Sequence, residues 1–161
     1  MARLLVVHHS PTRSLTALTD AVVAGTSAEG IEGVEVVVRP ALEATADDVL
    51  GADGVLLGTS ANFGYMSGAL KHFFDTTFLE IGGALSDDGS ASGGSGGRLP
   101  WGLWVHGRYD VTGAVRAVGS IAGALPWTQA APVLEVVGDV GPGDLESAHE
   151  LGATLAALLM D

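Results

Sequence analysis

The feature that most constrains this chain is an alternation of two hydrophobic periods. Short apolar runs take turns with longer stretches whose apolar residues recur every three or four positions. The runs are 3–8, 34–38, 54–59, 101–106 and 133–137. A run this continuously apolar is a strand covered on both faces, as in a parallel sheet. Between the runs, Leu15, Leu18, Val22 and Val23 mark a first helix, and Leu42, Ala46, Val49 and Leu50 a second. Thr45 and Asp48 have the spacing of a capping box. Met66, Ala69, Leu70, Phe73, Phe74, Thr77, Phe78 and Ile81 form the stripe of a third helix. Val111, Val115, Val118, Ile121 and Leu125 line a fourth. Pro142 opens a fifth, with Leu145, Ala148, Leu151, Leu155, Leu158 and Leu159 inward. Five strands and five helices in alternation predict one α/β domain over 1–161, a parallel sheet between two helical layers. Right-handed crossovers and this length suit the strand order 2-1-3-4-5. The switch point then falls between the first and third strands. A ligand is expected over the carboxyl ends of strands one, three and four.

Composition removes several classes of function. There is no cysteine, so disulfides, thiolate metal sites and cysteine catalysis are excluded. The net charge of −12, from 19 acids against 7 Lys plus Arg, opposes binding to nucleic acid or to an acidic membrane surface. That charge serves solubility, or steers the chain toward a basic redox partner. No apolar run approaches the roughly 18–20 residues of a membrane span. The first apolar run is short and is followed by His8, His9 and Pro11, which reads as a strand rather than a secretory signal. A cytoplasmic location is the expectation. Residues 82–100, rich in Gly and Ser, read as a flexible loop at the end of the sheet away from the ligand. Trp101, Trp104 and Trp127 read as packing residues, and His72 and His149 as surface residues. Gly119 and Gly123 read as a close contact, either within a dimer or against the sheet.

Three segments fall at the expected ligand edge. The first is His9-Ser10-Pro11-Thr12-Arg13-Ser14-Leu15-Thr16, between the first strand and first helix. Amide groups at a helix start attract a phosphate, and Ser10, Thr12, Ser14 and Thr16 add hydroxyls while Arg13 adds a charge. The same hydroxyls also suit an N-cap cluster. The second segment runs through Ser60, Ala61, Asn62, Phe63, Gly64 and Tyr65. Gly64 permits positive φ and a close backbone approach, and the two aromatics can cover a flat ring. The third is His106-Gly107-Arg108-Tyr109-Asp110. Both tyrosines of the chain and two of its seven basic residues gather in these segments, which points to an anionic or electron-accepting ligand. His8 reads as a satisfied strand-end histidine. His9 and His106 form no metal set with nearby carboxylates.

The run Ala-Asp-Gly-Val-Leu-Leu-Gly-Thr from Ala52, then Asn-Phe-Gly-Tyr-Met-Ser-Gly-Ala-Leu-Lys-His-Phe-Phe-Asp from Asn62, resembles the NAD(P)H-dependent FMN reductases and quinone reductases of the flavodoxin-like superfamily. Val-His-Gly-Arg-Tyr-Asp from Val105 resembles that family's third flavin loop. The resemblance implies a flavodoxin-like three-layer sandwich that binds FMN. It implies that Ser10, Thr12, Arg13, Ser14 and Leu15 hold the phosphate. Residues 60–65 and His106, Gly107, Arg108 and Tyr109 would hold the ring. One departure stands in the first loop. The family pattern Ser/Thr-x-Thr-Gly-x-Thr has Arg13 in place of its glycine and Leu15 in place of its last threonine.

The expected activity is transfer of electrons from NADPH or NADH, through bound flavin, to a quinone-like acceptor or a redox protein. The flavin carries that chemistry, and no dedicated catalytic residue is required. Arg108 or His106 beside the ring would stabilise its reduced anion. The alternative is a flavodoxin-type electron carrier, which the overall charge favours. The acid-free stretch 60–66 favours the reductase. A flavin-free interaction module on the same fold is a third reading. A homodimer is also an expectation of the resemblance.

Overall fold

The computed structural model describes residues 1–83, 85–88, 90 and 98–161. Strand β1 (Ala2–His8) is an inner strand and pairs in parallel with β2 (Val34–Pro40) and β3 (Gly54–Asn62). The next strand, β5 (Pro100–Gly107), pairs in parallel with β3, so that Val55 faces Trp101 and Ser60 faces His106. Two short strands, β6 (Thr128–Gln129) and β7 (Leu134–Val137), share the outer edge of β5. The order is therefore the expected one, with the fifth strand in two pieces. Pro132 lies between the pieces and has no N–H to offer a ladder. A further strand, β4 (Tyr65–Met66), pairs antiparallel with the end of β3 where the sequence reads only as a loop.

Alternation along the strands builds the two cores. Leu4, Val6, Leu56 and Trp104 point to the face covered by α1 (Arg13–Gly25) and α5 (Pro142–Leu158). Leu5, Val7, Val55, Leu57 and Leu103 point to the other. That face is covered by α2 (Ala46–Leu50), α3 (Gly68–Thr77) and α4 (Thr112–Ala124). Trp101, Trp104 and Trp127 are all buried packing residues. Gly58 leaves the space that the Trp104 indole fills, since a Cβ there would overlap the ring. The α1–α5 contact is closer still. A Cβ on Gly25 would overlap the His149 carbonyl oxygen, and one on Gly152 would overlap that of Val22.

Some expectations need correction. The Thr45–Asp48 capping box forms, with Asp48 N–H bonded to Thr45 Oγ1 at 3.2 Å and Thr45 N–H to Asp48 Oδ2 at 2.9 Å. The box starts a helix of only five residues, however. Leu42 precedes that helix and Leu50 ends it, and both are exposed. Leu158 is likewise exposed at the end of α5. A Cβ on Gly119 or Gly123 would meet no atom of the described residues within 4 Å, so neither glycine marks a close approach to the sheet. The Gly/Ser-rich loop expected over 82–100 lies largely outside the described residues. Among the described residues, no helix is long and apolar enough to cross a membrane.

Candidate functional site

The carboxyl ends of β1, β3 and β5 open into a cleft of about 650 Å³. Its first wall is the head of α1. Thr12 is extended, with φ −121° and ψ 162°, and its Oγ1 accepts the Leu15 N–H at 3.2 Å. This cap satisfies one orphan donor of the first turn, and the amides of Arg13 and Ser14 lie ahead of the helical ladder. Thr12, Ser14 and Leu15 line the cleft, although the Leu15 side chain is in the core. Two residues expected here are elsewhere. Ser10 turns inward, its Oγ 2.8 Å from His8 Nδ1 and 2.7 Å from Thr19 Oγ1. Arg13 is exposed, off the lining, and makes no ion pair among the described residues.

The second wall is a β-hairpin rather than an open loop. Asn62 faces Tyr65 across it, and the two residues at its tip, Phe63 and Gly64, have φ of 50° and 79°. Two positive φ values mark the type I′ turn, which suits the twist of a tight hairpin. Glycine takes this conformation freely. A phenylalanine pays about 1 kcal/mol for it. Phe63 gains no packing in return, because its ring is fully exposed on the lining of the cleft. Buried hydroxyls hold the hairpin from below. Thr59 Oγ1 accepts the Ser67 N–H at 2.9 Å and donates to the Ser60 carbonyl at 2.8 Å. Ser67 Oγ in turn caps α3 by accepting the Leu70 N–H at 3.1 Å. Ser60 lines the cleft, only 8% exposed, and its Oγ has no hydrogen-bond partner among the described residues. Ala61 and Asn62 complete this wall, while Tyr65 is partly exposed outside the lining.

The third wall follows β5. His106, Gly107, Arg108 and Tyr109 all line the cleft, joined by Asp110. The Tyr109 ring is 87% exposed, like Phe63. The two basic groups are engaged. His106 Nε2 lies 2.7 Å from the Gly138 carbonyl oxygen, and Arg108 Nη1 donates to Asp139 Oδ1 at 2.8 Å. Both bonds tie this wall to the β7–α5 connection. Asp110 Oδ1 accepts from Thr112 N–H at 2.9 Å and from its hydroxyl at 2.6 Å. These bonds, the hydroxyl first, hold the Asp110 carboxyl below its usual pKa. They cap α4, whose formal N-cap, Val111, has no side chain to do so. Gly113 in the first turn of α4 lies against the hairpin, where a Cβ would overlap the Gly64 carbonyl oxygen.

The cleft therefore has an end rich in helix-start amides and hydroxyls, and a mouth flanked by two exposed aromatic rings. It suits a flat, ring-bearing ligand with an anionic tail. The sequence drew attention to most of these residues. Asp110 closes the third of those segments without an assigned role, and the roles of Thr59, Ser67 and Gly113 depend on contacts between elements.

Sheet order, layers and strand-end cleft define a flavodoxin-like fold. Comparison with known proteins agrees. Over 101 residues the chain is 37% identical to a protein named flavodoxin from Aquifex aeolicus (strain VF5), covering 60% of this chain and 54% of that protein. The match thus spans about half the length of the curated relative. Among solved structures, a flavodoxin from the domain Archaea superposes with a TM-score of 0.78 at 17% identity, with 98% of each chain covered. A flavodoxin, WrbA-like protein from Agrobacterium tumefaciens gives 0.72 at 16% identity, with 99% of this chain and 98% of that one covered. Identities this low speak to fold alone. No protein-family model matches the chain.

Proposed function

We propose that this chain is an FMN-binding electron carrier of the flavodoxin type. The observation that carries the reading is the pair of exposed rings, Phe63 and Tyr109, flanking a cleft that ends at the head of α1. An aromatic on a positive-φ turn, without packing of its own, fits a residue kept for a ligand. Ser60 Oγ, buried on the lining without a partner, is a second mark of a missing polar contact. Thr12, Ser14 and the first amides of α1 would hold the phosphate. The backbone of residues 60–64 and 106–109 would meet the ring edge, and Phe63 and Tyr109 its faces. When bound, FMN supplies reversible electron transfer, and the protein orients the ring and tunes it through nearby charge.

Charge at the mouth favours the carrier. The basic groups expected beside a reduced, anionic ring already have partners, Arg108 in an exposed pair with Asp139 and His106 at the Gly138 carbonyl. Asp110 adds a carboxylate to the lining. The relative named flavodoxin supports the same reading. The second reading is an NAD(P)H-dependent quinone reductase. It draws support from the acid-free stretch 60–66 and from the likeness to a WrbA-like protein.

The deciding experiment is reconstitution with FMN followed by rapid mixing with NADPH and, separately, NADH. The carrier reading expects quenched flavin fluorescence and bleaching no faster than that of free FMN. Rapid bleaching by either nucleotide would overturn the carrier in favour of the reductase. No FMN uptake at all would remove both.

A further inference from the structure

The outer surfaces of α3 and α4 leave a groove of about 450 Å³ between them. Phe74, Phe78, Leu79 and Leu85 line it from the α3 side, and Ile121 with two small residues, Ser120 and Ala124, from α4. Leu79 is 63% exposed and Leu85 50%. Leucines left this open on one groove mark a contact surface, whereas scattered single ones do not. The α4 wall is low. Ser120 and Ala124 are short, and nothing among the described residues stands over Gly119 or Gly123. The groove and the cleft share no lining residue.

The chain offers no filler of its own. Residues 86–97, which follow Leu85, hold no large apolar side chain. Charge along the rim names the occupant instead. Both helices start at the cleft end of the sheet and run to its other end. Near their starts stand Lys71 and Arg116. Lys71 is paired with Asp75 at 2.7 Å, and Arg116 makes no ion pair among the described residues. Beyond the end of α3 stand Glu80, Asp87 and Asp88, all exposed, with Arg98 the cation at that end. The rim is therefore positive toward the cleft and negative at the opposite end. A two-fold axis crossing the groove sets each positive end on the negative end of the other copy, as an isologous contact requires. It also brings α4 against α4, where the small residues permit close approach. The net charge of −12 opposes self-association only weakly, because charges more than about 8 Å apart are screened at physiological salt.

We propose that this groove is the contact face of a homodimer, in which a second copy of the chain seats antiparallel across α3 and α4. Leu79 and Leu85 of each copy are the apolar anchors, and the rim charges fix the direction. A dimer through this face is independent of what the cleft binds.

The test is the mass of the full chain in solution by light scattering, from about 1 to about 100 µM, where a dimer of modest contact area dissociates. The mass should rise from one chain toward two. Leu79→Lys puts a charge into the groove and should weaken the dimer by at least about tenfold. Reversing the lower rim with Glu80→Lys and Asp87→Lys should weaken it as well, and adding Arg116→Glu to that chain should recover most of the loss. All four positions are exposed, and circular dichroism checks that each variant is folded. The mass of a single chain at every concentration overturns the proposal and leaves the groove to a different protein. A dimer indifferent to Leu79→Lys has its contact elsewhere and overturns it too. Failure of Arg116→Glu to restore the reversed chain overturns the antiparallel seating.

Discussion

The α1–α5 seam and the mouth of the cleft are built on opposite rules. At the seam backbone meets backbone, and Gly25 and Gly152 leave no room for a single carbon. At the mouth two large rings stand in solvent, one of them on a turn that opposes it. The seam concentrates stability, since close-packed interiors transmit any misfit. The mouth spends some of that stability on side chains that contribute nothing to the fold. Substitutions at the seam should therefore move the melting temperature, and substitutions at the mouth should move ligand affinity.

Gly152→Ala is the strongest break. The added carbon overlaps the Val22 carbonyl, and helix displacement should cost about 3 kcal/mol. Calorimetry should record a fall of roughly 6–12 °C in Tm. A Tm within 2 °C of wild type (about 0.5 kcal/mol) would mean that the seam is looser than described. Thr59→Val probes the join between the two regions. It strands the buried Ser67 N–H, at a cost of about 1–3 kcal/mol, and frees the hairpin. Both Tm and FMN affinity should fall, and loss of Tm alone would separate the hairpin from the ligand site.

Phe63→Gly should divide the two readouts cleanly. Removing a strained, unpacked ring leaves Tm unchanged or slightly raised, while FMN binding weakens by about tenfold, the equivalent of one stacking contact. Unchanged FMN affinity would remove Phe63 from the ligand site. The smallest effect concerns Asp110→Asn. The folded protein holds this carboxyl below its usual pKa, so its contribution is present above the unfolded value and is lost as pH falls through the folded one. The wild type should exceed the variant slightly in Tm at pH 7, and the two should converge as pH falls through the lowered pKa of the folded protein. A constant difference across that range would assign the effect to something other than the α4 cap.

The sequence announces what is local and periodic. The apolar runs of β1, β3 and β5 are visible because both faces of each are covered, and the stripe of α3 is visible because it is amphipathic. Glycine at position 64 foretells a positive φ. Positive φ at Phe63 is not foretold, because it follows from Asn62 pairing with Tyr65. Long-range partnerships are equally silent. Nothing near Arg108 or His106 in the chain signals Asp139 or the Gly138 carbonyl, about thirty positions away by the spacing of those bonds. These pairings join two side chains expected at the ligand to the segment after β7. Ser10 shows the same limit on a smaller scale. Its hydroxyl suits a phosphate by composition, and only the approach of Thr19 across the first turns of α1 reveals that it is already engaged.

The interruption of the outer strand at Pro132 has a consequence for life in a crowded solution. A chain that is 47% hydrophobic and built on a parallel sheet is exposed to edge-on recruitment of another copy. Here one margin is broken into pieces of two and four residues with a proline between them. The other margin ends in Arg39 and Pro40 and carries Glu35. The broken border offers no long row of free amides, while the seven-residue border of β2 relies on the charges of Glu35 and Arg39 and on Pro40 to discourage another strand.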